Sequence, residues 1–75
     1  MNQAWVLINI QMGKEFQVLN YLRKIPGVKE AHIVTGIYDI ILLIESDSMK
    51  KLNDILSWNI RRHKNICNTF TMVVV

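Results

Sequence analysis

Between Ala31 and Ile44 only one side chain is formally charged, that of Asp39. It closes the run Thr35-Gly36-Ile37-Tyr38-Asp39, just past a glycine that joins two apolar segments. Strand interiors disfavour aspartate, and an unpaired carboxylate beside an apolar sheet is costly. A backbone N–H, a cationic side chain or the ammonium of a ligand must compensate it. In the first case Asp39 braces backbone N–H groups of its own hairpin, and Gly36 is there only because the turn needs positive φ. In the last case Asp39 anchors a binding site, accepting from an ammonium in a charge-assisted hydrogen bond. The residues alone leave both open. Other reactive side chains are sparse. His32, His63 and Cys67 are the possible metal ligands, and two ligands at the His63–Cys67 spacing do not make a structural zinc site. No metal or cofactor is expected, and no nucleophile–base pair is evident.

The elements that must position Asp39 follow from periodicity and punctuation. Ala4–Ile10 reads as a strand. Lys14–Ile25 reads as a helix, with Val18, Leu22 and Ile25 on one stripe that Leu19 widens. Pro26-Gly27 stops it. Val28–Thr35 and Ile37–Glu45 read as strands joined tightly at Gly36 into an antiparallel hairpin. Ser46-Asp47-Ser48 supplies N-cap candidates for a second helix striped by Met49, Leu52, Leu56 and Ile60. Ile66–Val75 is the last strand, rich in β-branched residues. The order is β-α-β-β-α-β, the split βαβ arrangement of an α+β, ferredoxin-like fold with a four-stranded antiparallel sheet.

Composition bounds the rest. Seventy-five residues make one domain with a modest core, yet 51% of them are hydrophobic. A single cysteine cannot form an internal disulfide, which suits a reducing cytoplasm. No signal-peptide layout follows Met1, and the longest apolar runs fall far short of the ~20 residues of a membrane helix. A cytoplasmic protein without membrane contact is expected. The net charge of +3 sits mainly in Arg61-Arg62-His63-Lys64. Cations at a helix C-terminus are favoured by its dipole, so this cluster does not by itself imply nucleic acid.

Both faces of the sheet are apolar. Ile40, Leu42 and Ile44 alternate with Ile41 and Leu43, and Val6, Ile8 and Ile10 alternate with Trp5 and Leu7. In a sheet of this order both crossover helices lie on one side. The other side is left as an apolar patch on the order of several hundred Å², more than a soluble monomer tolerates. A second copy packed sheet to sheet would cover it. An oligomer, at least a dimer, is expected.

With the order placed, Ile25-Pro26-Gly27-Val28, Val34-Thr35-Gly36-Ile37-Tyr38-Asp39-Ile40 and Thr69-Phe70-Thr71-Met72-Val73-Val74 resemble the effector-binding (RAM) domain of Lrp/AsnC-type transcription regulators. Thr-Gly-x-Tyr-Asp is the most specific element. One departure is Lys64-Asn65-Ile66 where the family often has Pro-Gly-Val. The resemblance implies a dimeric α/β barrel, with dimers assembling into rings or discs. It implies a non-catalytic module, not itself contacting DNA, that binds an amino acid or similar small effector between dimers. Thr35, Gly36, Ile37, Tyr38 and Asp39 would surround the effector backbone, with N–H groups near Gly36 meeting its carboxylate and Tyr38 forming a wall. Met72 and Val74 would face its side chain. Residues 1–75 read as this one domain, with no helix-turn-helix, so a stand-alone module that pairs with full-length regulators is expected. Two other classes share the order. Small dimeric α+β barrel enzymes of monooxygenase or isomerase type need polar residues inside the barrel, and here the strands offer mainly Asn9, His32 and Asn68. An RRM-type RNA-binding sheet needs exposed aromatics on its central strands, and only Trp5 and Tyr38 stand there.

Overall fold

The computed structural model describes residues 1–75. The chain order is β1 (Asn2–Ile10), α1 (Glu15–Arg23), β2 (Val28–Ile33), β3 (Ile40–Ser46), α2 (Met49–Asp54), a π-helical extension of α2 (Ile55–Ile60) and β4 (Ile66–Val73). One sheet has the order β2-β3-β1-β4, antiparallel throughout, which is the expected ferredoxin-like topology.

Alternation sorts the strands into two faces. Ala4, Val6, Ile8 and Ile10 of β1, Ile40, Leu42 and Ile44 of β3, and Ala31 of β2 are buried. They pack against Val18, Leu19 and Leu22 of α1, Ile25 beyond it, and Leu52, Leu56 and Ile60 of the second helix. Full burial of a leucine or isoleucine stabilises by about 1.5–3 kcal/mol. A single layer of such side chains is therefore the main source of stability in so small a body.

The helices start and stop for local reasons. The Ser48 hydroxyl accepts from the Lys51 N–H at 3.2 Å and caps α2. The Glu15 carboxylate accepts from the Gly13 N–H at 2.8 Å at the start of α1. Beyond α1 the chain turns at Gly27, whose φ is +99°. A Cβ at Gly27 would meet Ile55 Cδ1 at 2.8 Å and the Glu45 carbonyl at 3.0 Å, so a side chain there must displace Ile55 and crowd the β3 backbone.

Three expected boundaries are corrected. The second helix is not regular over its whole length: the Arg61 N–H donates to the Leu56 carbonyl at 2.8 Å, a bond five residues back. Tyr21 Oη donates to the Asn59 carbonyl at 2.6 Å and satisfies an acceptor at this wider end. The β2–β3 connection is not a tight turn at Gly36. Six residues, Val34–Asp39, lie between the strands, and they make a loop closed by the Val34 N–H donating to the Asp39 carbonyl at 2.9 Å. The last strand ends at Val73 rather than Val75.

The second face has no helix. Trp5 and Leu7 of β1 stand beside Leu43 and Ile41 of β3 on one side and Met72 and Phe70 of β4 on the other. Phe70 is 50% exposed and Met72 42%. Tyr38 stacks on Phe70, with ring centroids 6.4 Å apart and planes 23° off parallel. The apolar face expected from alternation is present and uncovered within one subunit.

Candidate functional site

The Val34–Asp39 loop is fastened to three consecutive residues at the end of β1. The Asp39 N–H donates to the Ile8 carbonyl at 2.9 Å. The Asn9 side-chain amide donates to the Ile37 carbonyl at 2.7 Å and lies 3.5 Å from Asp39 Oδ2. The Ile10 N–H donates to that same Oδ2 at 2.9 Å. The Ile10 N–H faces the β3 side of β1, where the pairing of β1 with β3 has already ended at Ile8 and Ile40, so Asp39 takes the place of a strand acceptor.

Asp39 is thus compensated first by backbone. The brace reaches across to β1 rather than within its own hairpin, which corrects the local bracing considered from sequence. Only Oδ2 is engaged; Oδ1 makes no hydrogen bond within the chain. The N–H groups of Thr35, Gly36, Ile37 and Tyr38 likewise make none. Gly36 has φ +133° and open space where a Cβ would project. Thr35 and Gly36 are exposed, and Ile37 is 86% exposed. The loop therefore presents free donors and one free carboxylate oxygen on a fixed base, a pattern complementary to a zwitterion.

Met72 and Val74 lie elsewhere. Met72 pairs with Trp5, and the Val74 N–H donates to the Gln3 carbonyl at 2.9 Å. Asp39 is bonded at Ile8, five residues along β1 from Gln3, or roughly 17 Å at the rise of an extended strand. One subunit does not bring Val74 to the loop. Asn9 is the residue that sequence reasoning did not place at the site. Its signal was visible, since it interrupts the apolar run of β1 opposite Asn68.

Other concavities carry less chemistry. An open groove of about 720 Å³ runs between Pro26-Gly27, the end of β3 and the second helix. Four of its charges pair, Lys50 with Asp54 at 3.6 Å and Lys51 with Asp47 at 3.8 Å, and Glu45 accepts from the Gln3 side-chain amide at 2.6 Å. No three His, Cys, Asp or Glu side chains gather as a metal site, and no helix is long and apolar enough to cross a membrane.

Fold and site together define a ferredoxin-like α+β domain with one open apolar sheet face and a polar loop at the end of its central strand. The chain belongs to the Lrp/AsnC ligand binding domain family, which it matches over residues 3–75. It is 31% identical over 72 residues to the HTH-type transcriptional regulator FL11 of Pyrococcus furiosus, spanning 96% of this chain and 47% of that protein. It is 40% identical over 58 residues to homocitrate synthase of Sulfurisphaera tokodaii, spanning 77% of this chain and 12% of that enzyme. The crystal structure of FFRP-DM1 superposes with a TM-score of 0.97 at 37% identity, covering all of both chains. The chain spans less than half the length of the curated regulators it matches.

Proposed function

We propose that this chain is a non-catalytic effector-sensing and assembly module: it binds a free amino acid at the Thr35–Asp39 loop and self-associates through its open sheet face. The observation that carries the reading is the half-used Asp39 carboxylate beside four unbonded N–H groups. The free Oδ1 accepts from the effector's ammonium, and the loop N–H groups donate to its carboxylate. Tyr38, fixed by its stack on Phe70, walls the site. A second copy covers Trp5, Leu7, Ile41, Leu43 and Phe70, since burying such a face at about 25 cal/mol per Å² outweighs leaving it in water. Met72 and Val74 contact the effector side chain only if a neighbouring copy brings them to the loop, so the pocket is completed by assembly.

Membership in a family of transcription regulators supports a regulatory role in the cytoplasm. In that role the domain modulates full-length Lrp/AsnC-type regulators through the same interfaces, without contacting DNA itself. The loop holds no nucleophile–base pair, which weighs against the barrel-enzyme alternative. A panel of the twenty common amino acids in thermal-shift assays tests the proposal. At least one raises the unfolding temperature in proportion to the logarithm of its concentration. No shift with any of them would remove the effector role.

A further inference from the structure

We infer that Asn9 is a positioning residue for effector recognition: by holding the Ile37 carbonyl it aims the Tyr38 N–H out of the loop at the effector's carboxylate. This inference rests on the effector reading given above.

All peptide bonds in the chain are trans. In a trans peptide unit the C=O and the N–H of the next residue point in opposite directions. The Ile37 carbonyl is drawn back onto β1 by the Asn9 amide at 2.7 Å. The Tyr38 N–H of that peptide unit must then point away from β1, and it has no partner within the chain. Asn9 is the only side chain outside the loop that bonds it. The flanking ties, Asp39 N–H to Ile8 and Ile10 N–H to Asp39, fix the loop's base but leave the Ile37–Tyr38 peptide plane free to rotate. Gly36 precedes this unit and imposes little steric restraint on it.

The same amide lies 3.5 Å from Asp39 Oδ2, the oxygen already used by Ile10. Asn9 thus helps to hold Oδ2 inward, so that Oδ1 is the oxygen left to the ammonium. One donor group sets both halves of a zwitterion site. An aspartate at position 9 has the same shape but would set an acceptor against the Ile37 carbonyl and against Asp39. Leucine has nearly the same volume and no donor.

Two measurements on the whole chain test this. The first is calorimetric titration of wild type, Asn9→Leu and Asn9→Asp with the twenty common L-amino acids. The best-bound amino acid should lose about tenfold or more in affinity to each variant, the scale of a hydrogen bond to a charged group, at unchanged oligomeric mass. The second is amide hydrogen exchange of Tyr38 in wild type, with and without that amino acid at saturation. Slower exchange on binding supports the assignment and does not depend on how the variants fold. Asn9 variants that bind as tightly as wild type, or a Tyr38 N–H whose exchange the amino acid leaves unchanged, would overturn the role of Asn9 alone. Failure of wild type to bind any of the twenty would overturn the effector reading and this inference with it.

Discussion

The Asp39 carboxylate and the Ile10 backbone amide, 29 residues apart in sequence, meet at 2.9 Å. This bond ties the β2–β3 loop to the central strand where its ladder with β4 loses register. It engages Oδ2 and leaves Oδ1 open, so the structural role of Asp39 can be tested apart from the proposed effector contact.

The structural duty is tested by comparing two variants in chemical denaturation. Asp39→Ala leaves the Ile10 N–H without an acceptor and should destabilise by about 1–3 kcal/mol. Asp39→Asn keeps an acceptor oxygen at the same reach and should cost under about 1 kcal/mol, the range of a neutral hydrogen bond replacing a charged one.

The open face is tested by placing charge in its centre. Leu43 pairs with Trp5 on the side of the sheet away from the helices. Leu43→Glu places an unpaired carboxylate in the proposed sheet-to-sheet interface, which strongly disfavours association. Wild type should sediment as an oligomer at micromolar concentration and Leu43→Glu as a monomer. A wild-type monomer would contradict the assembly role.

Gly27 should resist any substitution. Gly27→Ala combines a positive φ with contacts of 2.8 Å to Ile55 Cδ1 and 3.0 Å to the Glu45 carbonyl. A loss of about 1–3 kcal/mol is expected from the backbone strain alone, and more where the contacts cannot relax. Gly36→Ala meets nothing within 4 Å and should cost less, since only its φ of +133° opposes a side chain. Thermal denaturation of the two variants gives the order.

Tyr21→Phe removes the donor to the Asn59 carbonyl at the π-helical end of the second helix. The expected loss is about 1 kcal/mol, read from urea midpoints, with the oligomeric mass unchanged.

Much of this architecture could be read from residues. Strict alternation in Val6-Leu7-Ile8 and Leu42-Leu43-Ile44 assigned the two sheet faces, and Pro26-Gly27 placed the end of the first helix. The hairpin was harder. Ile37 and Tyr38 look like strand by propensity, yet with Asp39 they form a loop. The loop exists because side-chain and backbone bonds from Ile8, Asn9 and Ile10 hold it, and such long-range ties leave no local periodicity. The same reason hid Asn9, whose role depends on a partner 28 residues away. Met72 and Val74 were placed at the site by family pattern, and only the fold reveals their distance from the loop within one subunit. The π-helical stretch Ile55–Ile60 carries the same apolar spacing as an α-helix, so nothing in its sequence announced it.

The central claim is that the free oxygen of Asp39 receives an amino acid's ammonium. Calorimetric titration of wild type and Asp39→Asn with the twenty amino acids tests it most directly, because the asparagine can keep the Ile10 tie through its one oxygen while an NH2 donor replaces the free charged oxygen. The account predicts saturable binding of at least one amino acid to wild type and a loss of about tenfold or more in Asp39→Asn at equal oligomeric mass. Equal affinity in the two proteins, or no binding to either, would contradict it.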